Sequence, residues 1–194
     1  IRLADGFAEW KDDYAVFSEG ETVLFRDHEP AQNLQFASAT TAEGLRFTNT
    51  ETYSFSGSDV ALSGKLNVES GKLVLNNKLT AADYTAAEGE VVIAASGTLV
   101  LTDTQEPTAT VNNISGTGTV QLKLDTTNNT YDNKLAIDED FEGTTHVTVG
   151  NLTLTDSSFG NTLKLADGVN AQITAKTTLD GNLELEGKTE VHQN

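Results

Sequence analysis

The stretch IDEDFEG, residues 137–143, crowds Asp138, Glu139, Asp140 and Glu142 together. Calcium takes about six to eight oxygen ligands, so these carboxylates form a candidate calcium site. The competing reading is a solvated turn between two strands of an acidic protein, and it is preferred here. A second stretch, DTTNNTYDNK at 125–134, superficially suggests a calcium loop. It fails on two positions: a loop opening at Asp125 needs glycine where Thr130 stands and glutamate where Ala136 stands. The glycine-rich nonapeptide that binds calcium in some β-helices is absent as well.

His28, His146 and His192 lie far apart in sequence. With no cysteine in the chain, neither thiolate metal sites nor disulfides can form. His146 falls in an alternating run between Thr145 and Val147, so its face depends on register. Structural or surface roles are expected for all of them. Glu184 and Glu186, two apart in LELEG, should point to one side of a strand. Paired carboxylates on neighbouring rungs can do acid–base work on polysaccharides. An exposed acidic stripe more often blunts a sheet edge. No G-x-S-x-G, H-E-x-x-H or phosphate-cradling loop occurs. No catalytic residue is assigned, no cofactor is expected and the chain is not read as an enzyme.

Aromatic residues make up 7% of the chain, with one tryptophan, a thin supply for sugar-stacking platforms. Trp10, Tyr14 and Phe17 cluster early, and Trp10 and Phe17 are expected to cap the open end of the fold. Tyr53, Tyr84 and Tyr131 are placed in turns or loops. Asparagine pairs at 76–77, 112–113 and 128–129 suggest hydrogen-bonded ladders between stacked corners.

These residues need a scaffold, and the scaffold is legible as short alternating runs. They include TVLF (22–25), GLRF (44–47), YSFSG (53–57), KLNV (65–68) and KLVL (72–75). Later come EVVIA (90–94), TLVL (98–101), TVQLKL (119–124), HVTV (146–149), NLTL (151–154), TLKL (162–165) and LELE (183–186). Period-2 alternation over about four to six residues is the mark of strands with one buried face. Gly, Asn, Asp and Ser fill the gaps, as tight turns require. One stretch, LTAADYTAAEGE at 79–90, is open to a turn or two of helix or a protruding loop.

SGKLVLNN (70–77), SGTLVLTD (96–103), GTGTVQLKLD (116–125) and VGNLTLTD (149–156) share one pattern at intervals of roughly 20 to 30 residues. That spacing predicts an all-β solenoid, a parallel β-helix in which each coil buries its apolar side chains against its neighbours. A β-sandwich or jelly roll is the alternative, since Asp-Gly pairs at Asp5, Asp167 and Asp180 permit hairpins. Residues 1–57 are read as N-terminal capping coils and 58–194 as repeat coils, continuous as one domain. The strand-like pattern at the C-terminus leads us to expect that the ladder continues in a longer parent protein.

Composition narrows the function classes. There are 29 Asp+Glu against 12 Lys+Arg, a formal net charge of −17. Such a surface repels phosphate backbones and anionic headgroups, so nucleic-acid partners are not expected. No apolar run reaches the roughly 20 residues of a membrane span, so membrane insertion by this segment is not expected either. The chain holds no methionine, and it is read as a processed chain or an excised piece whose export signal is already gone.

FEGTTHVTVGNLTL (141–154) resembles the autotransporter-associated β-strand repeat, with Phe141, Gly143, Thr145, Val147, Gly150, Leu152 and Leu154 in the pattern positions. DYTAAEGEVVIAASGTLVL (83–101) is similar to a second copy, through Tyr84, Thr85, Val92, Gly97, Leu99 and Leu101. Ala86-Ala87 stands where the repeat has glycine after Tyr-Thr, and Asn133-Lys134 where Thr-Gly is expected after Tyr131. The segment from Trp10 to YSFSG (53–57) is similar to the region that often precedes such repeats. The resemblance implies a right-handed parallel β-helix of the passenger type, secreted or held at the outer-membrane surface of a Gram-negative bacterium. It implies a non-catalytic stalk or adhesin-like display module, for which host or cell-surface glycans or proteins are the candidate partners; separately, an exposed terminal coil leaves edge-to-edge self-association open. A glycan-binding module attached to a carbohydrate-active enzyme is the alternative, and a β-helical polysaccharide-degrading enzyme is a third reading.

Overall fold

A computed structural model describes residues 9–11, 14–16, 22–26, 32–76, 79–81, 91–102, 110–111, 114–123, 134–137, 141–154, 158–159, 162–173, 178–179 and 181–193. All regular structure in these residues is strand. The fold is a parallel β-solenoid. The chain forms two compact units, residues 1–99 and 100–194.

In the first unit, successive coils lay their strands on the same faces. Thr22–Arg26 pairs in parallel with the start of Gly44–Gly57, which pairs with the start of Leu66–Leu75. Gln32–Phe36 pairs with the end of Gly44–Gly57, from Tyr53 onward, and that in turn with the end of Leu66–Leu75. Thr40–Ala42, Val60–Leu62 and Leu79–Ala81 form a further parallel sheet. Each coil therefore presents three faces. Inward columns run coil to coil: Val23, Leu45 and Leu66 form one, and Phe25, Phe47 and Val68 another, all buried. Phe25 stacks on Phe47 with centroids 4.3 Å apart, and Tyr53 and Phe55 close around them.

The second unit repeats the arrangement, and Phe141 is its one aromatic side chain among those described. Thr119–Lys123, Thr144–Val149, Thr162–Leu165 and Asn182–Leu185 pair successively in parallel. A second sheet runs through Thr110–Val111, Lys134–Ile137, Asn151–Leu154, Asn170–Ile173 and Glu190–Gln193. Ser158–Phe159 pairs with Thr178–Leu179. Partners on one face lie about 20 residues apart in sequence, the period that marks a solenoid. Parallel pairing of this kind rules out the sandwich alternative, whose sheets are antiparallel. The one antiparallel pair among the described strands joins Glu9–Lys11 to Tyr14–Val16.

Several expectations are corrected. The runs GLRF and YSFSG belong to one strand of 14 residues, Gly44–Gly57, and KLNV and KLVL to one of 10, Leu66–Leu75. The chain bends between faces while staying extended, and the ladder register shifts at Phe47/Thr48 and Thr48/Thr52. Tyr53 is in that strand and buried, not in a loop. Leu79–Ala81 is strand rather than helix; residues 82–90 lie outside the described set. The four self-similar segments do not share a face. Thr119–Lys123 stacks on Thr144–Val149, whereas Asn151–Leu154 stacks on Asn170–Ile173 in the other sheet. Any strand with one buried face writes the same alternating pattern, whichever face it occupies.

The Asp167-Gly168 pair makes a coil corner, with Gly168 at φ 81°, and not a hairpin. Its strands, Thr162–Leu165 and Asn170–Ile173, lie in different sheets. The next corner rests on it: the Lys188 N–H donates to Asp167 Oδ1 at 2.7 Å, and Gly187 takes φ 59° directly beside that carboxylate. Corner hydroxyls also reach back one coil. Ser70 Oγ donates to Asn49 O at 2.8 Å, Thr148 Oγ1 to Leu122 O at 3.0 Å and Thr189 Oγ1 to Ala166 O at 3.1 Å. The Thr189 hydroxyl also lies 2.7 Å from Glu186 O within its own coil.

Candidate functional site

FEGTTHVTVGNLTL is an inward motif. Phe141, Gly143, Thr145, Val147, Gly150 and Leu152 are all buried; the Leu154 side chain lies outside the described set. Glycine at 143 has a steric cause. A Cβ there would stand 2.2 Å from the Gly118 carbonyl oxygen and 2.5 Å from the Phe141 ring, so the ring can fold across only a bare backbone. Gly150 has φ 104°, a conformation that side chains with a Cβ disfavour. In the second copy burial agrees at Gly97 and Leu99 and differs at Val92. Val91 and Ile93 are buried, Val92 faces outward and Leu101 is half-buried, while Gly97 and Leu99 remain inward. Tyr84 and Thr85 lie outside the described residues.

The outward positions of the second unit form the only place where the singled-out ionisable residues meet among those described. Gln121, His146, Lys164 and Glu184 are successive ladder partners and so form one outward column. Lys164 Nζ lies 2.8 Å from Glu186 Oε1 and 3.9 Å from Glu184 Oε2. The two glutamates do share a side, as their spacing implied. The ammonium holds the Glu186 carboxyl below the usual range, and Glu186 in turn raises Lys164. His146 is pushed the other way. Burial first, and the Lys164 charge second, lower its pKa from 6.5, against weaker opposing pulls from Glu186 and Glu184. Its Nε2 is buried and bonds to no protein atom.

This arrangement does not make an acid–base pair. A general acid needs a carboxyl pushed up toward neutral pH, and Glu186 is pushed down. Both glutamates are about half exposed and share one ammonium, which is a surface ion cluster worth little by itself. In the first unit, Arg46 is held in a two-bonded pair by Glu69 on the next coil, equally exposed.

Of the calcium candidates, Glu142 is exposed, and its N–H donates to Gly116 O at 3.1 Å. Asp138, Glu139 and Asp140 lie outside the described residues, as does His28, and for His192 only the backbone is described. Among the described residues no group of three or more His, Cys, Asp or Glu side chains could hold a metal. The aromatic side chains that are described, Phe25, Phe36, Phe47, Tyr53, Phe55 and Phe141, are all buried. Trp10 and Tyr14 stand on strands whose side chains are outside the description; Phe17 and Tyr131 are outside it entirely.

An asparagine ladder bond forms at a pair the sequence did not single out, while of the expected pairs only Asn76 is described. Asn170 Nδ2 donates to Asn151 Oδ1 at 3.0 Å across adjacent coils. Asn76 instead donates to Ser54 Oγ at 2.7 Å. The residues at 77, 112, 113, 128 and 129 are not described. Asn49 is buried, and neither its Oδ1 nor its Nδ2 meets a protein partner. It sits at the bend where the register shifts, and nothing in its local pattern marks it.

Comparison with known proteins gives no match to a family model, to a curated protein or to a solved structure.

Proposed function

We propose that this chain is a non-catalytic β-helical module of a secreted or cell-surface bacterial protein, serving display or spacing. The observation that carries the reading is where the chain's most motif-like residues go. Phe141, Gly143, Thr145, Val147, Gly150 and Leu152 are all committed to the interior. The repeated pattern is thus accounted for by packing one coil on the next, the requirement of a repeat architecture. Outward charges in the column of His146 and Lys164 pair with one another and do not converge on a reacting centre. The autotransporter passenger type, as the resemblance implies it, supplies the cellular setting of this proposal.

The glycan-binding alternative calls for exposed aromatic platforms, and the described aromatic side chains are buried. The display reading is therefore preferred. The test is binding of the folded chain to a glycan array and to whole mucin at physiological salt, with β-type circular dichroism as the folding control. No binding is expected. Sugar-competable binding would replace the spacer reading with the glycan-binding one.

A further inference from the structure

Asn49 is the one side chain among the described residues with two buried polar atoms left over. It is 1% exposed, and neither Oδ1 nor Nδ2 bonds to a protein atom. Buried amides are almost always bonded, to protein or to ordered water, because a stranded donor or acceptor gives up its hydration without replacement. The corner around Asn49 is also a wide one. Thr48 pairs with Ser70 and Thr52 with Lys72. The coil of Asn49 therefore spends residues 49–51 where the next coil spends Gly71 alone.

The lining of that corner is polar. Gly71 turns the tighter side at φ 74°. A Cβ there would stand 2.5 Å from Asn49 Oδ1 and 2.8 Å from Glu51 O, and would also strike Asn49 O. Three oxygens thus crowd one bare Cα, and Asn49 Oδ1 rests against its hydrogen, a weak contact. Ser70 Oγ donates to Asn49 O at 2.8 Å. The amide nitrogen has the stronger need: it carries two N–H donors and meets no protein acceptor. A carbonyl oxygen accepts twice, so the bend can serve a molecule that itself accepts from Nδ2. Water does both, and it needs only about 30 Å³. A cation cannot accept from the nitrogen. We propose that the corner at Asn49 is an internal water site. The water accepts from Asn49 Nδ2 and donates to carbonyl oxygens of the bend, and it is a fixed part of the coil. The inference goes beyond the display reading and does not depend on it.

The first test is a high-resolution crystal structure of the full chain. An ordered water is expected about 2.7–3.2 Å from Asn49 Nδ2. The second is magnetic relaxation dispersion of the water signal, which counts the molecules held inside a protein in solution. Asn49→Leu, close in shape and without a donor, should hold one fewer than the parent. Circular dichroism checks its fold, and the crystallographic arm needs no variant if it fails to fold. Asn49 Nδ2 bonded directly to a protein carbonyl, with no water in reach, overturns the proposal. So does an unchanged count of internal waters in folded Asn49→Leu. A cation on Asn49 Oδ1 and Glu51 O, recognised by oxygen distances of about 2.3–2.6 Å, would overturn it as well, by assigning the corner to an ion.

Discussion

Lys164 is the ladder partner of His146, one coil further on, and its charge helps burial keep the imidazole neutral. The other charged groups facing the pair, Glu184 and Glu186, oppose this less strongly. Because the folded pKa lies below 6.5, the unfolded chain takes up the proton first as pH falls. The stability this histidine leaves intact above 6.5 is lost progressively below it. Urea midpoints measured at about pH 7.5 and about pH 5.5 should therefore differ, with the lower pH less stable. His146→Gln, which cannot titrate, should shrink that difference. An unchanged difference would place the titrating group elsewhere.

Phe25 and Phe47 stack with planes 3° apart, and Phe55 packs against both. All three rings are buried. Phe47→Ala should cost about 3–5 kcal/mol, the range for emptying a core aromatic position. Phe47→Leu should cost less, because it refills most of the volume. Equilibrium urea unfolding of both variants, with near-ultraviolet circular dichroism reporting the aromatic cluster, checks the order.

Gly143→Ala should cost about 2 kcal/mol or more, although it adds only one methyl group. The new carbon would meet a backbone oxygen of the previous coil, Gly118 O, which cannot rotate away. Gly168→Ala is the useful contrast. Its φ of 81° is unfavourable for alanine, yet nothing lies within 4 Å of the added carbon, so the loss should stay near the roughly 1–2 kcal/mol of left-handed strain. Thermal unfolding of the pair separates clash from strain.

Much of the fold was legible because alternation states which side chains are buried. Thr145 and Val147 flank His146 in one alternating run, and both are buried. Alternation falters where both registers are apolar, as in Val91-Val92-Ile93, where Val91 and Ile93 are the buried residues. It also says nothing about bends: Asn49 and Tyr53 sit in a polar run whose corner leaves no local mark. The Gln121–His146–Lys164–Glu184 column was hidden for a different reason. Its members meet only after coils of unequal length have been closed, since His146 pairs with Gln121 and Lys164 at different sequence separations. Glu184 and Glu186 were recognisable as neighbours, but the lysine between them and the histidine was not.

Leu165 and Leu185 are the same residue type in the same inward column, and only their coverage differs. Leu165 is fully buried and Leu185 half exposed. Leu165→Ala leaves a cavity between coils and should cost about 2–5 kcal/mol. Leu185→Ala removes a side chain that already meets water, and its cost should stay below about 1 kcal/mol. Urea unfolding of both variants at two protein concentrations tests this directly. Equal losses would mean that Leu185 is covered in solution, and a midpoint rising with concentration would identify the cover as another copy of the chain.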